Sequence, residues 1–508
     1  MTESVINHVV ANPPGPDHRI RFIRLFGTES MTLRELHERA EKVAARLVAL
    51  GVRPGDRIGI LAANSLEWVL LDLAALRLKV VTAGFEPGKF TSDTALATRY
   101  DLRLIFTDKP DEQLDSLPIN EVRTWSETSD GPVAPPPARY SADEPSTIKF
   151  TSGSTGTPKG LPASVGSIDS SITAVQEMFA HGPDDDIFIF LPLSLLQQRY
   201  WIYSALRYGH DVTVSTYEAA FATLGTARPT VVMGVPGFFD SARRHIEGRA
   251  TQIAGDPAAA RRAAAVKLFG DRIRYLWTGS APADPDTLRF FTECALPIYE
   301  GYGLNETCIV SKNYPGHSRD GSVGRLLPGK QVIVDDDGVV SIRSDHPVSL
   351  AYAYAEPGDS ERVFGPDGTV RTGDLGYMDA DGYLYIRGRA DDVIVLGNGR
   401  KVIVRPIEEK LKRSPAIEEA VVYCPTETYL VAVVSPATEP ADEAAIEEHV
   451  DRINTMSAPD ERIFRVVIAR QRFSIDNDLL TAQFKPKRRR IFQAYRADMV
   501  RIQEDSHA

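Results

Sequence analysis

Ten residues, Thr151-Ser-Gly-Ser-Thr-Gly-Thr-Pro-Lys-Gly160, constrain this chain more than any other stretch. They follow a short run, Thr147–Phe150, that reads as a strand, and they hold three glycines, five Ser or Thr hydroxyls and one lysine. Small residues let backbone N–H groups close on a polyanion, the hydroxyls add donors, and Lys159 supplies a mobile positive charge. The segment therefore reads as a phosphate-binding loop. Its spacing is not that of a Walker A loop, G-x-x-x-x-G-K-[ST], because Pro158 precedes the lysine and Gly160 follows it. The plain alternative is a Ser/Gly linker, but linkers seldom end in Thr-Pro-Lys-Gly between ordered segments.

The flanking chain alternates strand and helix. Residues 31–51 predict a helix with both ends marked: Thr32 and Glu35 form a capping box, and Gly51 with Pro54 stops it. Leu33, Leu36, Ala40, Val43 and Leu47 fall on one face. Arg57–Ala62 reads as a buried strand, Asn64 as the cap of a second helix through Leu78, and Val80–Ala83 as the next strand. Strand–helix–strand at this length implies a right-handed crossover and a parallel sheet. The alternation resumes with Ile187–Leu191, Val212–Val214, Thr230–Met233 and Ile273–Thr278, so a large α/β domain is expected. Residues 126–146 read as loop, and 247–265 as an exposed helix with its lead-in. Beyond residue 320 come short strands at Val332–Val334, Val339–Ile342, Thr369–Arg371 and Tyr383–Ile386. Turns such as Asp336-Asp337-Gly338 and Asp381-Gly382 separate them, which predicts an appended antiparallel sheet or barrel. A last unit of mixed helix and strand runs from Asp391 to about Tyr495.

Composition narrows the partners. With 508 residues, 43% of them apolar and 25% charged, the chain is expected to be a soluble protein of several domains with no membrane span. A formal charge of −11 argues against nucleic acid as a main partner. Met1-Thr-Glu-Ser-Val shows no signal-peptide pattern, so a cytoplasmic location is expected. Cys294, Cys308 and Cys424 lie far apart and read as small core residues, and the ten histidines show no paired-ligand spacing. No structural metal is expected.

TSGSTGTPKG resembles the phosphate loop of the adenylate-forming superfamily, which includes acyl-CoA synthetases, luciferases and peptide-synthetase adenylation domains. Further stretches match that family in its chain order, and together they span residues 151 to 490. The resemblance implies a large N-terminal domain over residues 1–388, built of parallel-sheet α/β layers with a small antiparallel β-barrel-like part. A small mobile α+β domain would follow over 389–508. It also implies ATP and Mg2+ as cofactors, a small-molecule acid as substrate and CoA as the usual acceptor. By resemblance, Thr151, Ser152, Gly153, Ser154, Thr155, Gly156 and Lys159 surround the phosphates. The turn Gly279-Ser280-Ala281 lies against adenine, as do Glu300, Gly301, Tyr302 and Gly303. Glu306 holds Mg2+, for which a single carboxylate suffices because the hard cation completes its shell with phosphate oxygens and water. Asn305 stands where threonine is usual at the α-phosphate. Its amide still donates, and Thr307 is a second candidate for that contact. Asp374 and Arg389 are matched to the ribose and Asp391 to the hinge. The run Leu479–Arg488 is similar to the long-chain fatty acyl-CoA synthetase version of the catalytic-lysine motif. It makes Lys485 the catalytic lysine, with Lys487 as the fallback, beside Glu306 and Lys159.

The acid pocket is expected near Leu191–Trp201 and Met233–Phe239, with Leu195, Gln197, Arg199, Trp201 and Gly234 as its candidate lining. Leu195 stands where long-chain relatives often carry histidine. Gln197, Gln198, Arg199, Tyr200 and Trp201 fit a pocket for a polar or aromatic acid, and they fit the start of an amphipathic helix equally well. The leading functional expectation is an acid–CoA ligase that works through an acyl-adenylate. An alternative keeps adenylation but changes the acceptor or the acid, as in secondary-metabolism enzymes that form amides, load carriers or activate nitrite for an aryl amine. A non-catalytic nucleotide-binding protein is the alternative of another class.

Overall fold

The computed structural model describes residues 3–88, 90, 94–110, 116–128, 132–151, 158–426, 428–474, 476–480 and 486–500. Its contacts divide the chain into two units. The first holds Met1–Ile333, Ser341–Thr372 and Met378–Tyr385, and the second holds Val334–Val340, Gly373–Tyr377 and Ile386–Ala508.

Two sheets carry the first unit among the described residues. One has six strands in the order Ser116–Pro118, Leu104–Thr107, Arg57–Leu61, Val81–Phe85, Pro145–Thr151 and Lys159–Ser164. All neighbours in it are parallel except the last pair, which is antiparallel. The other has nine strands. Its parallel centre runs Ile298–Leu304, Tyr275–Thr278, Val231–Met233, Asp186–Ile189, Asp211–Val214 and Arg19–Ile23. Antiparallel partners close both edges. One of them, the hairpin of Arg19–Ile23 with Thr28–Thr32, goes beyond the expected alternation.

Helix Leu33–Ala49 starts as its sequence predicts. The Glu35 amide donates to Thr32 Oγ1 at 3.1 Å, and the Thr32 amide donates to Glu35 Oε2 at 2.7 Å. The next helix, Leu66–Leu78, corrects the expected cap. Ser65, not Asn64, accepts from the Trp68 amide. Asn64 is buried and serves three other backbone groups instead: its amide donates to the Leu191 and Ser215 carbonyls, and its oxygen accepts from Leu193 N–H. It thereby pins the segment that leads into helix Leu196–Tyr208. The stretch 247–265, read as an exposed helix with its lead-in, takes in the end of helix Pro236–Ala250 and most of a second helix, Pro257–Phe269. The second buries Ala260, Ala264, Ala265, Leu268 and Phe269 against the core.

Arg199 also departs from expectation. It does not line a pocket but lies 1% exposed in the core, where its guanidinium donates to Asp72 at 2.7 Å and to the Thr82 and Thr147 hydroxyls at 3.3 and 3.0 Å. Tyr203 donates to the other Asp72 oxygen, and the indole of Trp68 lies 5.2 Å from the guanidinium. A buried arginine is stable only when such partners replace water, and here they tie helix Leu196–Tyr208 to the six-stranded sheet.

A four-stranded sheet, in the order Lys330–Val334, Val339–Ser344, Val370–Met378 and Leu384–Arg389, stands where four short strands were expected. The second unit adds a sheet of Ile417–Tyr423, Leu430–Pro436 and Ile463–Ile468, and a ribbon of Val393–Val395 with Lys401–Ile403. Helices Arg405–Leu411 and Glu443–Met456 pack on one apolar cluster of that unit, and Arg488–Val500 packs on another. No described helix is long and apolar enough to cross a membrane.

Candidate nucleotide and acid site

Thr151 and Lys159 are register partners where strands Pro145–Thr151 and Lys159–Ser164 meet the glycine-rich segment. Ser152, Gly153, Ser154, Thr155 and Gly156 lie outside the described residues, as does Lys485. Lys159 Nζ lies 2.9 Å from Asp359 Oδ2 and 5.2 Å from the ring centroid of Tyr352. The Tyr352 hydroxyl donates to Glu306 Oε1 at 2.6 Å. One tyrosine therefore touches both the loop lysine and the expected magnesium ligand, which are far apart in the chain. The Lys159 ammonium holds the Asp359 carboxyl below the usual carboxylate range. Burial first, then Glu306, pushes the Tyr352 hydroxyl above the usual phenol range, so it stays a donor. Tyr352 and Asp359 sit in no motif, and sequence reading missed both.

Glu306 projects from a tight turn between strands Ile298–Leu304 and Cys308–Lys312. Gly303 is obligatory there, because a Cβ would sit 1.9 Å from the Cys308 carbonyl oxygen. Thr307 is not the alternative phosphate donor that its position suggests. It is buried, its hydroxyl accepts from Leu304 N–H at 2.9 Å, and it donates to the Cys308 carbonyl at 3.1 Å. Asn305 is exposed. Among the described residues Glu306 Oε2 carries no hydrogen bond, and no cluster of three or more His, Cys, Asp or Glu forms a closed metal cage. A lone open carboxylate beside a lysine suits Mg2+ that arrives on phosphate oxygens and keeps its waters.

The two turns expected beside adenine lie at neighbouring strand ends. Strand Tyr275–Thr278 runs into Gly279, Ser280 and Ala281, with Ser280 at φ +69°. Glu300 braces this turn: it is buried and accepts from Ala283 N–H at 2.9 Å. Gly279, Ser280, Gly301, Tyr302 and Gly303 line a cleft with about 520 Å³ of empty space, counting its open mouth. The opposite wall comes from Gln197, Gln198, Trp201, Met233 and Gly234, with Trp277 at its base. Leu196 begins the helix, from which Gln197, Gln198 and Trp201 line the cleft while Arg199 and Tyr200 lie in the core. Leu195 precedes the helix and does not line the cleft.

In the second unit Asp374, nearly buried, meets Arg389 Nη1 at 3.1 Å. Gly373 lies under that guanidinium at φ +72°, and a Cβ would stand 2.8 Å from Arg389 Nη2. Asp391 follows in a short 3-10 turn, 3.7 Å from Arg389 Nη2. Lys487 is ion-paired with Asp478.

These motifs and the two-sheet α/β unit define the class of protein. Residues 10–345 match the family of AMP-binding enzymes, and residues 391–504 match the AMP-binding enzyme C-terminal domain. The chain belongs to that family, within the adenylate-forming superfamily. It is 26% identical to the long-chain-fatty-acid–CoA ligase FadD15 of Mycobacterium bovis, over 93% of this chain and 92% of the relative. It is also 26% identical to the 2-succinylbenzoate–CoA ligase of Bacillus cereus, over 77% of this chain and 80% of the relative. Its fold is similar to that of o-succinylbenzoate CoA synthetase from Bacillus subtilis in complex with the acyl-adenylate intermediate OSB-AMP. That likeness has a TM-score of 0.77 at 20% identity and covers 99% of this chain and 98% of the other. The same enzyme in complex with ATP and magnesium ion matches with a TM-score of 0.75 at 21% identity, over 96% and 98% of the chains.

Proposed function

We propose that the protein is an ATP-dependent, AMP-forming acid–CoA ligase. A carboxylate oxygen attacks the α-phosphorus of ATP, the bond to the β-phosphate oxygen breaks, and pyrophosphate leaves an acyl-adenylate. The CoA sulfur then attacks the acyl carbon, and AMP departs as the thioester forms. The observation that carries this reading is the Lys159–Tyr352–Glu306 contact, which gathers a cation and an open carboxylate into one phosphate site. A carboxylate is a poor nucleophile toward a polyanion, so the chain must neutralise phosphate charge and align the two reactants. Lys159 would neutralise phosphate charge, and Glu306 would hold Mg2+, which would supply further positive charge there. Lys485 stabilises the charge that develops between carboxylate and α-phosphate. Gly279, Ser280 and the Gly301–Gly303 segment take the adenine, and Asp374 with Arg389 takes the ribose. Residues 389–508 form a domain that turns about Asp391 between the two half-reactions.

The cleft wall favours a polar or aromatic acid. It holds two glutamines and two tryptophans, and Gln198 Oε1 is buried without a partner among the described residues, which suits an acid that brings its own hydrogen-bond donor. One observation favours the reading with a different acid or acceptor. Asn305 is exposed and the Thr307 hydroxyl is spent in its turn, so the family's hydroxyl at the α-phosphate has no direct equivalent here.

The test is pyrophosphate release with Mg-ATP across fatty acids, aryl acids and nitrite, each with and without CoA or an aryl amine. Release that requires a carboxylic acid and consumes CoA is expected. Acid-dependent release without CoA consumption would assign another acceptor, and nitrite-dependent release with an amine would assign diazotisation. Lys485→Ala should abolish release while Lys487→Ala, which removes one of two cations paired with Asp478 among the described residues, should not.

A further inference from the structure

Two buried lysines grip the turn that carries Glu306. Lys149, on strand Pro145–Thr151, donates to the Asn305 carbonyl at 2.6 Å and lies 3.6 Å from Cys308 Sγ. Lys330, at the start of strand Lys330–Val334, donates to the Thr307 carbonyl at 3.1 Å and to Ser344 Oγ at 2.9 Å. The two carbonyls flank Glu306 in the chain. Both lysines are nine-tenths buried, and among the described residues neither forms an ion pair with a carboxylate. The turn is further set by Tyr200, whose hydroxyl lies 3.0 Å from Cys308 Sγ, and by Cys308 itself at φ +55°.

Burying an ammonium that has no counter-ion costs stability, and a well-packed apolar side chain would fill the same space at less cost. Two such groups, bonded to the carbonyls that precede and follow one carboxylate in the chain, do two things that apolar residues cannot. They hold the main chain at both neighbours of Glu306, and they bring positive charge to the turn on which a polyanion and its cation must settle. We propose that Lys149 and Lys330 are positioning residues, which fix Glu306 for magnesium and complement the phosphate charge at that turn. The proposal rests on the adenylation reading above. It adds residues that touch neither substrate nor metal and act through the Glu306 turn.

The experiment measures Mn2+ binding by electron paramagnetic resonance, in the presence of the non-hydrolysable analogue α,β-methylene-ATP. It uses the full-length protein and its Lys149→Met and Lys330→Met variants. Methionine keeps the length of the stem and removes the charge and the donor. Loss of a hydrogen-bonded partner behind a metal ligand weakens metal binding by about 10- to 100-fold, and each variant should fall in that range. In steady state the Mg2+ concentration for half-maximal pyrophosphate release should rise by a similar factor, with the KM for the acid unchanged. Lys312→Met is the matched control. That lysine is as deeply buried, but it donates to the Thr278 and Tyr299 carbonyls and lies 3.5 Å from the Trp277 ring centroid, so it braces the Gly279 and Gly301 turns and not the Glu306 turn. At saturating nucleotide it should leave the metal affinity in place, whatever it does to the KM for the nucleotide. Should a methionine variant fail to fold, Ser344→Ala removes only the second anchor of Lys330 and should shift metal binding in the same direction by a smaller factor. Metal affinities within twofold of the unaltered protein in the Lys149 and Lys330 variants, or an equal loss in Lys312→Met, would overturn the proposal and leave the adenylation reading intact. If the unaltered protein binds no Mn2+–nucleotide, the adenylation reading falls and takes the proposal with it.

Discussion

Arg199 and the lysines at positions 149, 312 and 330 are all buried basic side chains in the first unit, and they answer the same physical problem differently; burial lowers the pKa of Lys330 and lowers that of Lys312 well below the usual ammonium range. Arg199 ends on Asp72 and two hydroxyls, so its charge is matched within the core. The lysines end on main-chain oxygens, and among the described residues no carboxylate pairs with them. His181 and His210 take a third route: burial lowers the pKa of both, that of His210 to about 4, so they sit in the core uncharged. The difference separates scaffold from site. A matched charge has nothing left to offer a ligand, whereas Lys149 and Lys330 end on the turn that bears Glu306 and Lys312 ends beside the cleft turns at Gly279 and Gly301.

The comparison breaks most sharply at the arginine. Arg199→Met leaves the Asp72 carboxylate buried with only the Tyr203 and Thr82 hydroxyls as donors among the described residues, and a buried ion pair that loses one member costs about 3–5 kcal/mol. Urea unfolding should show that loss, and the double variant Arg199→Met with Asp72→Leu should recover most of it. A single variant as stable as the parent would mean that the network carries no weight.

The histidines come next. The His210 ring fits a neutral tautomer, with Nδ1–H on the Asp211 carbonyl at 2.9 Å and Nε2 accepting from the Ser204 hydroxyl at 3.0 Å. In the unfolded chain His210 titrates near 6.5, so between that pH and about 4 the unfolded state binds more protons. Its contribution is therefore complete above pH 6.5 and is lost as the pH falls toward 4, on the order of 3 kcal/mol. His181 acts with the same sign. Melting curves between pH 7 and 4 should trace this decline, and His210→Gln should flatten it. An unchanged slope would refute the assignment.

Two smaller effects sharpen the site side of the comparison. Tyr352→Phe removes a hydrogen bond to the Glu306 carboxylate, worth about 1.5–3 kcal/mol for a charged acceptor. The expected result is roughly a 10- to 100-fold fall in kcat/KM for MgATP with little change in melting temperature. A large stability loss with normal kinetics would make Tyr352 part of the scaffold instead. Asp359→Asn frees Lys159 from its only ion-pair partner among the described residues, so the KM for MgATP should fall a few-fold. A rise would show that Asp359 aims the lysine rather than competing with phosphate for it.

What could be read without coordinates follows from how local the signals are. The Thr32–Glu35 capping box spans three residues and was legible as it stands. Alternating strands and helices announced the parallel sheets, because burial on both faces leaves continuous apolar runs. Arg199 was misplaced because a polar residue between aromatics is written the same way on a cleft wall and in a buried bridge. Only its partner Asp72, 127 positions away, decides between the two. Asn64 was misread as a cap for a similar reason: an amide that satisfies three distant backbone groups carries no local mark.

The sequence by itself determined the family and the order of its motifs, and it singled out Lys159, Glu306, Asp374 and Arg389 as candidate site residues, since each sits in a short run that resembles a motif of that family. Tertiary structure alone decided that Tyr352 joins Lys159 to Glu306, that Thr307 is spent in its own turn, and that Lys149 and Lys330 bond the carbonyls before and after Glu306. These are contacts of a few ångströms between residues as much as 193 positions apart in the chain, or internal to a turn whose shape neighbouring strands impose. Hydrogen bonding is short-ranged and directional, so its partners are chosen by the packed fold and leave no trace in the spacing of the chain.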